Sequence, residues 1–159
     1  MNLAAQLLDK ARETGAMVTC AESCTGGMVA AALTDLPGSS ALLDRGFVTY
    51  TNAAKMAMLE VADETLAEFG AVSEPVAREM ASGALRHSCA KIAVSITGIA
   101  GPGGSEHKPE GRVCFGLATA SGVETETLDF GAQGRDAVRQ AARDHALALL
   151  LRGYEWLKS

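Results

Sequence analysis

Clusters of lysine and arginine are missing from this 159-residue sequence, where 14 basic side chains stand against 19 acidic ones for a formal net charge of −5. Recognition of nucleic acid through its phosphates needs a basic patch, so nucleic acid is not expected as a partner. No apolar run approaches the roughly 20 residues that span a bilayer. The N-terminus, Met1 to Lys10, carries an early acid and lacks the basic start and continuous apolar stretch of a secretory signal. No membrane partner is expected, and the default location is cytoplasmic. The Cys-x-x-Cys pattern is also absent. Cys20 and Cys24 have no histidine or second cysteine pair nearby to complete a zinc site, so reduced thiols and no metal are the expectation. Linkers, repeats and low-complexity stretches are lacking apart from one glycine-rich loop. The chain therefore reads as one domain over residues 1–159, long enough for a sizeable core.

What is present concentrates first in residues 20–27, Cys-Ala-Glu-Ser-Cys-Thr-Gly-Gly. An apolar run at 16–21 precedes the octet and reads as a buried strand; a helix over 24–33 follows. Free backbone N–H groups at such a junction suit an anion or an oxyanion. Leu3, Leu7 and Leu8 at helical spacing predict a helix over 2–13, stopped by Gly15. Residues 47–50 read as a second strand, and Asn52 and Asp63 as N-caps of two short helices. Ser73 caps another helix with Pro75 in its first turn. Residues 92–96 form a third strand, and 97–111 a loop holding five of the 17 glycines. Strands at 112–119 and 123–130 are joined by Ser121-Gly122 as a hairpin, and a last helix begins near Arg135. Alternating strands and helices followed by a hairpin predict a single three-layer α/β/α domain with a mixed, mostly parallel sheet of about five strands. In such folds ligands sit beyond the carboxyl ends of the strands. The stretches 22–27, 50–55 and 97–111 each follow such an end and are expected to converge. Ala-rich apolar helices make a homo-oligomer plausible.

Each candidate has a bland reading beside its chemical one. Ser23 is a nucleophile if a base reaches it, or simply the N-cap of the helix that follows. His87, His107 and His145 are poor bases: the first ends a helix, the second lies in the glycine loop, and the third suits a structural role on the last helix. Lys55, just after the second strand and in the first turn of an apolar helix, is the better base if burial lowers its pKa; otherwise it is a solvated lysine. Cys24 is a rival nucleophile at a helix start, or a small packed residue. The loop Thr97 to Ser105 can wrap a phosphate or ribose. It fits neither the dinucleotide fingerprint nor the Walker A pattern, and its bland reading is a flexible connection. Arg135 can clamp a phosphate or carboxylate, or remain a solvated charge. Glu22 either orients Lys55 or satisfies backbone groups at the turn.

Four separated stretches carry a resemblance: Ala21 to Gly27, Gly46 to Tyr50, Gly70 to Val76 and Thr97 to Pro102. In this order they resemble the CinA C-terminal domain family, over about residues 3–152. The resemblance implies hydrolysis of the carboxamide of nicotinamide mononucleotide to nicotinate mononucleotide and ammonia, in pyridine-nucleotide salvage. It implies a Ser-Lys hydrolase without metal or cofactor, with Ser23 as nucleophile, Lys55 as base and Tyr50 within the dyad. Glu22, Cys24, Thr25, Gly26, Gly27, Asn52, Thr97, Gly98, Gly101 and Arg135 would then line the site of the nucleotide substrate. An alternative is a competence- or damage-linked nucleotide-binding module without turnover, and a third reading is a general small-amide or ester hydrolase.

Overall fold

The alternation of apolar strand runs and amphipathic helices is realised in a computed structural model that describes residues 2–158; Met1 and Ser159, the ends of the expected domain, lie outside the described residues. In chain order the elements are α1 (Leu3–Thr14), β1 (Val18–Glu22), α2 (Met28–Leu33), β2 (Leu43–Val48), α3 (Asn52–Leu59) and α4 (Asp63–Phe69). They continue with α5 (Glu74–Arg86), β3 (Ile92–Gly98), β4 (Arg112–Thr119), β5 (Gly122–Asp129) and α6 (Arg135–Leu157). The strands form one sheet in the order β2-β1-β3-β4-β5. β1 pairs in parallel with β2 and β3, whereas β4 is antiparallel to both β3 and β5. Four of the five strands therefore share one direction.

Helices cover both faces. Leu7 and Leu8 of α1, Val29 and Leu33 of α2, and Val138, Ala142 and Leu150 of α6 pack with Val18, Cys20, Val94 and Phe115 on one side. Leu59 of α3, Leu66 of α4, and Val76 and Met80 of α5 pack with Ala21, Ala93 and Ala118 on the other. β1 is buried along its whole length, as a central parallel strand must be, which is why its residues show no polar alternation. The three-layer arrangement expected from the sequence is present, with the hairpin at β4–β5. At Gly83 on α5, any Cβ would stand 2.0 Å from the carbonyl oxygen of Leu59, so the glycine lets the end of α3 settle against α5. That approach fixes the helix carrying Lys55.

Several boundaries differ from expectation. β2 begins at Leu43, because Asp44, Arg45 and Gly46 on this edge strand break the apolar pattern. α2 begins at Met28 and not at residue 24, leaving 23–27 as a turn. Thr51, one residue before Asn52, caps α3 by accepting from the amide of Ala54; Asp63 is the first helical residue of α4, and the cap position belongs to Ala62. Ser73 does cap α5, with Pro75 in its first turn. β3 extends through Gly98, so the glycine loop starts at residue 99.

Candidate active site

β1 delivers Ser23 to the carboxyl end of the sheet, where its amide donates to the carbonyl of Ile96 on β3. Lys55 reaches it from α3: Nζ donates to Ser23 Oγ at 3.0 Å, to the carbonyl of Thr49 at 2.8 Å and to that of Tyr50 at 3.4 Å. Only 1% of Lys55 is exposed. Its partners are a hydroxyl and two carbonyls, and among the described residues no carboxylate forms an ion pair with it. Burial without a counter-charge disfavours the ammonium form and lowers its pKa from 10.5 to about 8. An amine poised near neutrality, in contact with a hydroxyl, can take that hydroxyl's proton.

The dyad opens into a cavity of about 340 Å³ lined by Ser23, Cys24, Tyr50, Asn52, Lys55, Ala71, Val72, residues 97–106 and Arg135. The three stretches expected to converge do so here. The Gly101–Pro102 peptide is cis. Gly98 closes the floor: a Cβ would lie 2.7 Å from Val113 Cγ2 and 3.0 Å from Cys24 Sγ. The loop is held by neighbours, since Glu110 accepts from the amide of Gly103 at 2.6 Å, and Lys108 Nζ donates to the carbonyls of Phe69 and Val72. Arg135 ties two walls together, donating to the carbonyl of Gly101 at 2.8 Å and to the phenol oxygen of Tyr50 at 2.9 Å.

Several expected roles change. Tyr50 is 58% exposed and its phenol is engaged by Arg135; its bond to Lys55 is through the backbone carbonyl, so no proton relay through the phenol is seen. Glu22 does not line the cavity. Its carboxylate is fully buried and accepts from Thr25 Oγ1 at 2.6 Å and from the amides of Gly27, Val29 and Ala30 at 3.0–3.1 Å. It holds the first-turn amides of α2, whose N-cap position is Gly27 and not Ser23. The helix start expected to hold an anion is thus filled by the protein's own carboxylate, and Thr25, Gly26 and Gly27 shape the turn without lining the cavity. Gly26 and Gly27 adopt φ values of +56° and +108°, which the turn requires. Cys24 lines the cavity, and burial raises its thiol to about 11, which favours the protonated thiol near neutral pH. Thr97 lines the cavity while its hydroxyl donates to the carbonyl of Ala71. None of the three histidines does so: His87 pairs with Glu60, His145 with Glu126, and His107 sits in the loop outside the lining.

Arg139 was missed by sequence reasoning. It grips the turn through the carbonyls of Cys24 and Thr25, and its spacing of four from Arg135 on one helix face was the available signal.

A family model described as the CinA C-terminal domain matches residues 1–154. The nicotinamide-nucleotide amidohydrolase PncC of Escherichia coli strain K12 is 54% identical over 151 residues, covering 94% of this chain and 92% of that protein. A putative competence-damage inducible protein of Symbiobacterium thermophilum is 51% identical over 150 residues, covering 88% of this chain and 35% of that longer protein. Among solved structures, the competence/damage inducible protein CihA from Agrobacterium tumefaciens has a TM-score of 0.92 at 49% identity, covering 95% of this chain and 93% of that one.

Proposed function

The chain belongs to the CinA C-terminal domain family, and on that premise we propose that it is a nicotinamide-nucleotide amidohydrolase working through Ser23 and Lys55. It is a hydrolase acting on an amide C–N bond. The observation that carries the mechanism is the 3.0 Å contact between Ser23 Oγ and a buried lysine that has no carboxylate partner among the described residues.

Neutral Lys55 takes the Ser23 proton as Oγ attacks the carboxamide carbon of nicotinamide mononucleotide. The C–N bond then breaks, Lys55 returns the proton to the departing nitrogen, and ammonia leaves a nicotinoyl ester on Ser23. Water attacks the ester with its proton passing to Lys55, and nicotinate mononucleotide departs as Ser23 recovers its hydrogen. The sequence balances without metal or cofactor. Among the cavity-lining groups, Arg135, the backbone of the 99–105 loop and Asn52 are those that receive the 5′-phosphate in this reading. Tyr50 acts by tethering Arg135 and by offering its carbonyl to Lys55. A pyridine-nucleotide substrate supports a role in nucleotide salvage in the cytoplasm. Exposed Val48, Met56, Met58 and Phe69 support self-association, which sedimentation would measure.

The test is ammonia release by wild type, Ser23→Ala and Lys55→Ala, with nicotinamide mononucleotide and its phosphate-free riboside. The reading expects turnover only in wild type and a large loss with the riboside. Activity surviving Ser23→Ala, or wild type that binds the nucleotide without releasing ammonia, would overturn it; the second result fits the competence-linked binding module. Equal activity on the riboside would point to a general amide hydrolase.

A further inference from the structure

Among the described residues, Lys55 Nζ has three hydrogen-bond partners: Ser23 Oγ at 3.0 Å, the carbonyl of Thr49 at 2.8 Å and that of Tyr50 at 3.4 Å. They differ in what they can exchange. A carbonyl oxygen only accepts, whereas a hydroxyl both accepts and donates. A neutral lysine amine has two hydrogens and one lone pair. Its hydrogens therefore go to the carbonyls of Thr49 and Tyr50, and the lone pair is left for the one partner with a hydrogen to give, Ser23. The nearer of the two carbonyls is itself fixed. Thr49 directly follows β2, is wholly buried, and donates to the carbonyl of Glu22 twice, from its amide at 2.7 Å and from its hydroxyl at 3.2 Å. Glu22 immediately precedes Ser23, so one clamp sets both the nucleophile and the group that directs its base.

We propose that Thr49 is a positioning residue: with Tyr50 it ties up both hydrogens of neutral Lys55 through main-chain carbonyls, and so aims the amine's lone pair at the Ser23 hydroxyl. The inference rests on the amidohydrolase reading above and adds to it what directs the base. A carboxylate in the same place would also orient the amine, but its charge would favour the ammonium form and keep the base protonated. Uncharged carbonyls orient it at a smaller cost to the neutral form. Ser23 gives its proton to the lone pair as Oγ bonds to the carboxamide carbon. The ammonium keeps two hydrogens on the carbonyls, and the third faces the reacting atoms. The departing nitrogen takes that third hydrogen as the C–N bond breaks, and Lys55 is neutral again.

The experiment replaces the amide between Thr49 and Tyr50 by an ester in the full chain, and follows ammonia release from nicotinamide mononucleotide across pH. The ester leaves every side chain in place and makes the Thr49 carbonyl a weaker acceptor. The Tyr50 N–H that it removes has no acceptor among the described residues. On the high-pH plateau kcat is expected to fall about tenfold, with KM within about threefold of wild type. The rising limb of kcat/KM should move down by about half a pH unit, because a weaker acceptor stabilises the ammonium less. Thr49→Val, which keeps the shape and loses the hydroxyl, should lower kcat about fivefold, and Thr49→Ser should recover most of that loss. An unchanged kcat in the ester, or a lower kcat with the limb unmoved, would overturn the inference while wild-type turnover leaves the amidohydrolase reading standing. If the ester form fails to fold, the two side-chain variants decide: the inference is lost if valine matches wild type or if serine does no better than valine. Wild type without ammonia release would remove the amidohydrolase reading, and this inference with it.

Discussion

Glu22 and Lys55 both flank Ser23, one through the chain and the other through a hydrogen bond, and both are withdrawn from water. Glu22 meets a hydroxyl and three backbone amides, an arrangement that satisfies the carboxylate and welds β1 to α2. Lys55 meets one hydroxyl and two carbonyls, with no carboxylate partner among the described residues, and burial pushes its pKa down to about 8. A buried charge supplied with donors becomes structure. One denied a counter-charge becomes reactive. The nucleophile stands between a fixed turn and a destabilised amine, which is the division of labour that the proposed mechanism needs.

Removing the strained partner breaks the contrast most severely. Lys55→Met should abolish ammonia release, with a loss of at least about 10³-fold, because among the described residues no other base bonds Ser23. The same change should stabilise the fold. Unfolded, Lys55 holds its proton up to about pH 10.5, but folded only up to about 8, so native stability is depressed below pH 8 and rises with pH above it. The shift corresponds to about 3 kcal/mol, part of which is offset in the variant by unpaired carbonyls, leaving a gain of about 1–2 kcal/mol at pH 7. Urea denaturation between pH 8 and 9 checks this, with the rise present in wild type and absent in the variant. Above pH 9 the Cys24 thiol acts in the opposite sense, since its folded pKa is raised from 9 to about 11 and the unfolded chain ionises first.

Breaking the satisfied partner should do the reverse. Glu22→Gln retains one acceptor but sets an NH₂ group against amide donors, and should cost about 3 kcal/mol in urea denaturation at pH 7. Whatever activity remains should keep its rising limb near pH 8, because Lys55 is untouched. Gly27→Ala forces a Cβ into a φ of +108° and should cost about 1–2 kcal/mol on the same assay. Arg135→Ala lies farthest from the contrast. It should raise KM for the nucleotide about tenfold with kcat nearly unchanged, and leave the riboside's KM alone.

The sequence foreshadowed the sheet and its layers because apolar runs and helical spacing are local signals. Edge strand β2 was half-hidden because Asp44, Arg45 and Gly46 need not be apolar there. The Ser23–Lys55 pair, 32 residues apart, was legible as a candidate because both residues follow strand ends, and the family's motifs sharpened it; no local pattern fixes the contact itself. Of the roles open to Glu22, satisfying backbone groups at the turn is the one seen and lining the site is not; one acid at the end of a buried strand does not announce which amides will fold back onto it. Tyr50 was misassigned for a related reason: a short strand-to-helix link fixes where its backbone lies, and the direction of its ring depends on Arg135, 85 residues away.

The most direct measurement is the pH dependence of kcat/KM for ammonia release from nicotinamide mononucleotide, between pH 6 and 10, in wild type and Glu22→Gln. The account predicts a rising limb with an apparent pKa near 8 in both, as Lys55 loses its proton. A flat profile, or a limb near 10.5, would contradict it, because Lys55 would then not be the depressed amine that activates Ser23.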